Sequence, residues 1–383
     1  MQILVLGSGL QGTACAWDLL TTSDAEVTLA DQNPDTAPRL LKGEKGKRLR
    51  MAKLDARDLP AVATLIAGHD AVLSALPYYF NADVARLAVE AGVHFADLGG
   101  NTEIVRSQQA LDAVAREKKI SVMPDCGLAP GMVNILAAEG IRRLDAVESV
   151  KLYVGGLPLH PHPPLNYHIV YSLEGVLDYY TTPSWILRDG KPQTVEALSE
   201  LETVEFPEPI GRLEAFHTAG GISTMPWDFE GRIPSMEYKT LRYPGHAQIM
   251  RAIRELGLLD LEPVVVEGGA VRPRDLFVKL VDAKLREPEA PDIVALKVVV
   301  SGTKGGATQC LGFEVLDFHD AEHGITAMMR TTGYSLSITG QMQVGARVNR
   351  YGVTTAFEGM PFEPYVKALA RRGIVVRELE LGR

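Results

Sequence analysis

The chain opens on an apolar run, Ile3-Leu4-Val5-Leu6, that stops at Gly7-Ser8-Gly9-Leu10-Gln11-Gly12. A short apolar run ending in G-x-G-x-x-G constrains the fold more than any other stretch here, because it reads as a buried strand turning straight into a helix. The first glycine permits the tight turn, the second lets backbone approach a pyrophosphate, and the third lets the helix pack closely on the strand. The helix N-terminus then attracts phosphate. An acid, Asp31, lies 19 residues beyond Gly12, at the end of a second apolar run, Val27-Thr28-Leu29-Ala30. That is where a ribose-binding carboxylate belongs. A glycine-rich turn in a sheet without a nucleotide is the plainer reading, and the two features together favour a dinucleotide.

Asp31 also bears on which dinucleotide. A carboxylate accepts hydrogen bonds from ribose hydroxyls and repels a 2′-phosphate. The residues that follow, Gln32-Asn33-Pro34-Asp35, hold no arginine, and the first one is Arg39. The expectation is NAD rather than NADP. Its contacts would come from Gly7, Ser8, Gly9, Leu10, Gln11, Gly12, Asp31 and Gln32. Asp55 and Ala75-Leu76-Pro77, after later strands, would add to them.

A length of 383 residues suits about two domains, and 46% hydrophobic with 23% charged residues is ordinary for a globular protein. The net charge of −9 argues against nucleic acid or an anionic membrane as the main partner. Gly7 and Gly9 break the only N-terminal apolar run, so no signal peptide is expected, and no stretch approaches the roughly 20 apolar residues of a membrane span. Cys15, Cys126 and Cys310 are few, odd in number and far apart, which fits a reducing cytoplasm and no disulfide framework. His160 and His162 flank Pro161 in a proline-rich loop, and a solvated loop is preferred there to a metal site.

The first ~125 residues alternate β-rich runs with helical spacing, the pattern of a doubly wound parallel sheet. Strands are expected at 2–6, 26–31, 50–53, 70–75, 94–97 and 120–123, and helices at 11–20, 59–66, 81–91 and 103–117. Beyond residue 130, alternating runs at 150–154, 264–266, 276–281 and 294–300 suggest a largely antiparallel second domain. Helical stretches near 325–345 and at 361–372, then an extended run at 373–376, suggest a return to the first domain. The expected organisation is an α/β dinucleotide-binding domain, 1–128 completed by 336–383, with an inserted α+β domain over 129–335.

In such a sheet the ligand lies beyond the carboxyl ends of the strands. Tyr78, after the fourth strand, could hydrogen-bond a reacting amine or pack at the domain boundary. Asp97, before Gly99-Gly100-Asn101, could meet a substrate ammonium or cap a helix. Asp125 and Cys126 would lie at the crevice, with Cys126 lining the pocket, since no base adjoins it in sequence. Arg242 suits a carboxylate clamp through its bidentate fork. His246 reads equally as a proton carrier or a helix-start residue, and His168 more readily as a buried structural histidine. Thr218, Gly220, Gly221 and Thr224 suggest a loop near the ligand.

GSGLQG, SALPYYFN, DLGGN, PDCGLAPGM, GGLP and TLRYPGH occur in that order over nearly the whole chain. Together they resemble the saccharopine dehydrogenase-like superfamily, and within it the bacterial and archaeal L-lysine 6-dehydrogenase branch. The resemblance implies a Rossmann domain, an inserted catalytic domain and a homodimer or homotetramer. It implies NAD at Gly7–Gly12 and Asp31. It draws the pocket from Tyr78, Asp97, Asp125, Cys126, Asn166–Tyr171 and Arg242–His246. Leu128-Ala129-Pro130-Gly131 stands where saccharopine-forming relatives often carry Leu-Asp-Pro-Gly, which favours the lysine branch.

The implied reaction is NAD-dependent oxidative deamination of L-lysine at the ε-amine. It gives 2-aminoadipate 6-semialdehyde, which cyclises to a piperideine carboxylate. Hydride leaves only from carbon bearing a neutral amine, and a lysine ε-amine titrates near ~10.4, so a base and a basic optimum are expected. His246, His168 and Asp125 are the candidate bases. Arg242 would hold the α-carboxylate, and Asp97 or Asp125 the α-ammonium. Saccharopine- or carboxynorspermidine-type reductive condensation is the alternative within enzymes, and a non-catalytic NAD-binding regulator is the alternative outside them.

Overall fold

A computed structural model describes residues 1–33, 39–41, 43, 47–169, 173–287 and 290–381. Pro34, Asp35, Val170 and Tyr171, read above as parts of the cofactor and substrate stretches, lie outside the described residues.

The first ~145 residues run β1 (Gln2–Leu6), α1 (Leu10–Thr22), β2 (Glu26–Asp31), β3 (Leu49–Lys53), α2 (Leu59–Ile66), β4 (Ala71–Ser74), α3 (Asn81–Ala91), β5 (His94–Asp97), α4 (Thr102–Gln109), α5 (Asp112–Glu117), β6 (Ser121–Met123) and α6 (Met132–Arg143). Strands β1 and β4 are buried almost throughout, as continuous apolar runs between two helical layers must be. The expected helix over 103–117 is two helices. Asn101 caps α4 by accepting from the Glu103 and Ile104 backbone, and the chain breaks at Ala110-Leu111 before α5.

The second part runs β7 (Ala146–Pro158), α7 (Leu173–Thr181), β8 (Ser184–Arg188), β9 (Lys191–Val195), β10 (Glu202–Glu205), β11 (Arg212–His217), α8 (Met225–Asp228), β12 (Ser235–Arg242), α9 (His246–Glu255), β13 (Val264–Val266), β14 (Gly269–Val271), α10 (Pro273–Leu285), β15 (Asp292–Lys304) and β16 (Ala307–Phe318). It closes with α11 (Ala327–Val344), β17 (Gly352–Val353), α12 (Ala356–Gly359), α13 (Phe362–Ala370) and β18 (Val376–Glu380).

The first sheet has the order β17-β6-β5-β4-β1-β2-β3, and every pairing in it is parallel. The order reverses between β1 and β4, which opens the ligand crevice of a doubly wound sheet there. The second sheet follows β10-β11-β12-β7-β15-β16-β18, with β8 and β9 alongside. It is antiparallel except for β12 on β7. The fold is therefore α/β, a Rossmann sheet joined to a mixed, largely antiparallel one.

Three expectations are corrected. Residues 276–281 lie in α10, because Pro273 starts a helix and Phe277, Val278, Val281 and Leu285 then fall on one face. Residues 264–266 form a small exposed hairpin with β14 and join neither large sheet. The C-terminal segment divides between the units: α11 packs along α1 and β17 adds to the first sheet beside β6, but β18 pairs with β16 in the second. Among the described residues no helix is long and apolar enough to cross a membrane.

Candidate active site

The turn from β1 into α1 is built for something to lie on it. Gly7 takes a left-handed φ of +93°, and a Cβ on Gly12 would sit 1.8 Å from the Gly7 carbonyl oxygen. These two glycines are demanded by the fold itself. Gly9 is not: its φ is −67°, and a Cβ there would meet nothing within 4 Å. Its bare backbone leaves an open approach to the start of α1. No side chain caps that helix, and its first turn holds no acid. The Gln11 Oε1 is buried without a hydrogen-bond partner in the protein. Uncapped N–H groups fit an anionic phosphate, and the orphaned Gln11 oxygen, an acceptor, suits a hydroxyl or amide donor of the same dinucleotide.

Asp31 ends β2 next to this turn. Its Oδ2 accepts from the Ser8 backbone N–H at 2.8 Å and its Oδ1 from that of Asn33 at 3.0 Å. Burial alone would push its carboxyl up, but hydrogen bonds from the Ser8 and Asn33 backbone hold it below the usual range, so it is ionised at neutral pH. A cleft of about 640 Å³ opens beside it, between Gln32, Arg57, Leu76, Pro77 and Tyr79. Gln32 donates to Asp55 at 3.4 Å, and Arg57 grips Asp55 in a fork at 2.9 and 2.6 Å. Arg57 was not singled out in the sequence. It stands two residues beyond Asp55, after the third strand, which is the signal that could have found it.

At the crevice, Asp97 and Asp125 end up as near neighbours at the carboxyl ends of β5 and β6. Asp97 is buried, and both its oxygens are taken: Oδ1 by the Gly99 backbone at 2.7 Å and Oδ2 by Gln108 Nε2 at 2.6 Å. Burial pushes its carboxyl up to about 6 against the bonds from Gln108 and from the Asp125 and Gly99 backbone. Asp97 thus shapes the Gly99-Gly100 loop, the helix-capping alternative having in fact gone to Asn101. Asp125 takes a left-handed φ of +61° and packs so tightly on Gly99 that a Cβ there would lie 1.7 Å from its Oδ1. It accepts from the Ser223 hydroxyl and from the Gly100 backbone. Burial pushes it up to about 7, the Ser223 bond opposing and the neighbouring Asp97 charge reinforcing. Cys126 is buried, its Sγ donates to the Met123 carbonyl at 3.1 Å, and burial raises its thiol well above the ordinary value. It is a packing group.

The second unit meets this crevice through α7 and the loop after β11. The Ala219 N–H donates to the Tyr179 carbonyl, and a Cβ on Gly220 would sit 2.9 Å from the Tyr179 ring. Tyr179 also faces Gly100, since a Cβ there would come 3.2 Å from its hydroxyl. The Thr218 and Thr240 hydroxyls meet at 2.7 Å, and Thr224 donates to Asp228. Ser223 and Tyr179 went unremarked in the sequence. Ser223 stands just past the Gly220-Gly221 pair, a usable signal, but Tyr179 is one apolar residue among several on a helix. Tyr78 is 40% exposed and stacks edge-on with Tyr79 at 5.7 Å.

The expected second-unit residues form their own buried cluster. His246 Nδ1 lies 3.0 Å from the Leu165 carbonyl and Nε2 lies 2.9 Å from the Tyr180 hydroxyl. A carbonyl only accepts, so Nδ1 carries the hydrogen and Nε2 accepts from Tyr180. Burial, and then the Arg242 charge, push this imidazole down to about 3. The proton-carrier alternative for His246 therefore fails near neutral pH, while its place as the first residue of α9 holds. Arg242 is buried, donates to the Leu241 carbonyl at 2.8 Å and lies 4.8 Å over the Tyr167 ring. His168 is buried, and burial lowers its imidazole. On the same sheet, Glu200, His217 and Glu237 bring metal-type ligands together, but Arg188 pairs with Glu200, and Lys151 and Lys239 with Glu237.

Comparison with known proteins adds a lineage. The saccharopine dehydrogenase NADP binding domain matches residues 3–123, and the saccharopine dehydrogenase C-terminal domain matches residues 127–374. The chain is 29% identical over 290 residues to saccharopine dehydrogenase [NADP(+), L-glutamate-forming] of Pyricularia oryzae, covering 73% of this chain and 63% of that one. It is 27% identical over 327 residues to the mitochondrial alpha-aminoadipic semialdehyde synthase of Mus musculus, covering 81% of this chain and 35% of that one. It thus spans less than two thirds of the length of the first of these relatives and about a third of the second. Apo saccharopine dehydrogenase (L-Glu forming) from Saccharomyces cerevisiae superposes over the whole of both chains with a TM-score of 0.80 at 20% identity, which shows the shared fold. With both family domains matched in tandem over most of its length, the chain belongs to the saccharopine dehydrogenase family.

Proposed function

We propose that the chain is a nicotinamide-dinucleotide oxidoreductase that deaminates L-lysine at the ε-carbon with NAD. Lysine, NAD and water would give 2-aminoadipate 6-semialdehyde, ammonium, NADH and a proton. The carrying observation is Asp125. This carboxyl, pushed up to about 7, sits at the crevice of the same sheet that carries the dinucleotide turn. A bound nicotinamide supplies the hydride acceptor.

The chain's own residues do the rest. The substrate's ε-ammonium must lose a proton before its carbon can release hydride, and a buried acid near neutrality is matched to that transfer. Asp125 would take that proton on the oxygen now held by Ser223, and Ser223 would keep the carboxylate aimed. Asp97 positions the loop that packs on Asp125. Arg242 remains the candidate for the substrate carboxylate, within the cluster of Tyr167, Tyr180 and His246. Asp31, ionised beside the turn, supports NAD over a cofactor bearing a 2′-phosphate.

The relatives' names favour a second reading, NADP-linked cleavage of saccharopine at its secondary amine. The same Asp125 would serve it. The deciding experiment is NADH or NADPH formation at 340 nm with lysine, ornithine, saccharopine and small diamines. Turnover of lysine with NAD, and a product trapped as a cyclic imine, supports deamination. Turnover of saccharopine alone moves the chain to the second reading.

A further inference from the structure

The dinucleotide turn has a second wall. A cleft of about 410 Å³ runs between Gly9, Gln11 and Ala75 on one side and Glu174, Asp282 and Arg286 on the other. Arg286 follows α10 of the second unit and is the one cation lining this cleft among the described residues. Its guanidinium is now held by Asp282, Nη2 to Oδ1 at 2.5 Å and Nε to Oδ2 at 3.0 Å. Both partners are substantially exposed, Arg286 at 56% and Asp282 at 35%. An exposed ion pair is worth little, so it is exchanged at small cost. Facing it are the uncapped start of α1 and the bare backbone of Gly9.

From this juxtaposition, and resting on the dinucleotide reading above, we propose that Arg286 is a latch. Its fork leaves Asp282 and pairs with the pyrophosphate lying on the turn, drawing α10 over the cofactor. The chemistry is specific. A guanidinium matches phosphate oxygens in a bidentate fork, and the helix N-terminus supplies N–H groups to the same anion from the opposite side. Glu174 and Asp282 would otherwise present only negative charge to that anion. The latch would make cofactor binding and inter-unit closure one event, and substrate would then meet a crevice with the second unit already drawn in.

The test measures binding to the full chain by three ligands. NADH is followed by its fluorescence, ADP-ribose by calorimetry, and adenosine, which lacks both phosphates, by competition with NADH. Arg286→Ala is expected to weaken NADH and ADP-ribose about tenfold or more while leaving adenosine within about twofold. Asp282→Asn, which frees the guanidinium, is expected to tighten ADP-ribose. Arg286→Lys, which keeps the charge and loses the fork, is expected to fall between. Because both residues are exposed, the melting temperature without ligand should not move. ADP-ribose binding to Arg286→Ala within twofold of the parent chain overturns the latch. So does a loss shared equally by adenosine. A parent chain that binds none of the three overturns the dinucleotide reading as well, so the two failures are told apart.

Discussion

Asp31 and Asp125 occupy equivalent places, each at the carboxyl end of a parallel strand in one sheet, and they carry opposite electrostatics. Asp31 receives two backbone N–H groups and is held below the ordinary carboxylate range. Asp125 is enclosed, with Asp97 beside it, and is pushed up to about 7. Each accepts two hydrogen bonds, so lost hydration decides between them: half-buried Asp31 loses less than its donors give back, while Asp125 loses nearly all of it and has the Asp97 charge besides. One strand end becomes a fixed anion suited to recognition, and the other a group able to change its proton. A crevice between two units offers both settings at once: its outer end is lined by exposed backbone, and its inner end is covered by the second unit.

The sharpest way to break this comparison is to remove the titration and leave the shape. Asp125→Asn keeps the acceptor for Ser223 and loses the exchangeable proton. If Asp125 is the base, kcat should fall about a hundredfold or more, with the cofactor dissociation constant within twofold. A steady-state assay paired with NADH fluorescence reads both. An unchanged kcat would return Asp125 to a structural role.

The glycines of the turn sharpen the contrast from the recognition side. Gly12→Ala forces a methyl to 1.8 Å from the Gly7 oxygen, so it should cost at least ~1–3 kcal/mol of stability by denaturant titration. Gly9→Ala meets open space and should leave stability alone while weakening NADH about tenfold, because the methyl points where the cofactor approaches. Equal melting temperatures for the two variants would contradict the packing read at Gly12. Asp31→Ser is the milder change at the same end. It removes the charge that opposes a 2′-phosphate, and kcat/KM should shift toward NADPH-forming turnover by about tenfold relative to NAD.

The same physical division governs what the sequence made legible. The first unit is built from local rules: apolar runs, glycines at turns and acids just past strands. The six leading strands of the parallel sheet and the Gly7–Gly12 turn could therefore be read within a few residues. The second unit is built from long-range pairings. Residues 276–281 look like an alternating strand until Pro273 and Leu285 are seen to bound a helix. Strand β18 joins the second sheet because β16 presents an edge there, which no local pattern announces. Among the site residues, Ser223 reaches Asp125 across 98 positions of chain, and Tyr179 is set by the glycines it packs on. His246 looks like a proton carrier in sequence because the free imidazole titrates near neutrality. Only its enclosure by Tyr167, Tyr180 and Phe216 reverses that.

His246 and Asp125 also pull stability in opposite directions, which gives the smallest and most discriminating test. The folded pKa of Asp125, about 7, lies above the unfolded carboxylate value of about 3.9, so the native state holds a proton that the unfolded chain has released between those limits. Its contribution is present in full below about pH 3.9 and is lost as pH rises through 7. His246 has a folded pKa of about 3, below its unfolded value of about 6.5, so here the unfolded chain takes up the proton. Its contribution is present above about pH 6.5 and is lost as pH falls toward 3. Between pH 4 and 6.5 these two slopes oppose each other. Asp97, pushed up to about 6, adds to the Asp125 side, and His69, His94, His168 and His217, lowered by burial, add to the His246 side, so each group is read from its variant's difference from the parent chain. Relative to the parent chain, Asp125→Asn should gain stability as pH rises across that window and His246→Gln should lose it, each by up to a few kcal/mol. Differences from the parent chain that run in the same direction for the two variants would mean that burial does not set both groups. The kcat profile of His246→Gln should keep its limb near pH 7, since that limb belongs to the carboxyl at the crevice and not to an imidazole that is neutral throughout the range.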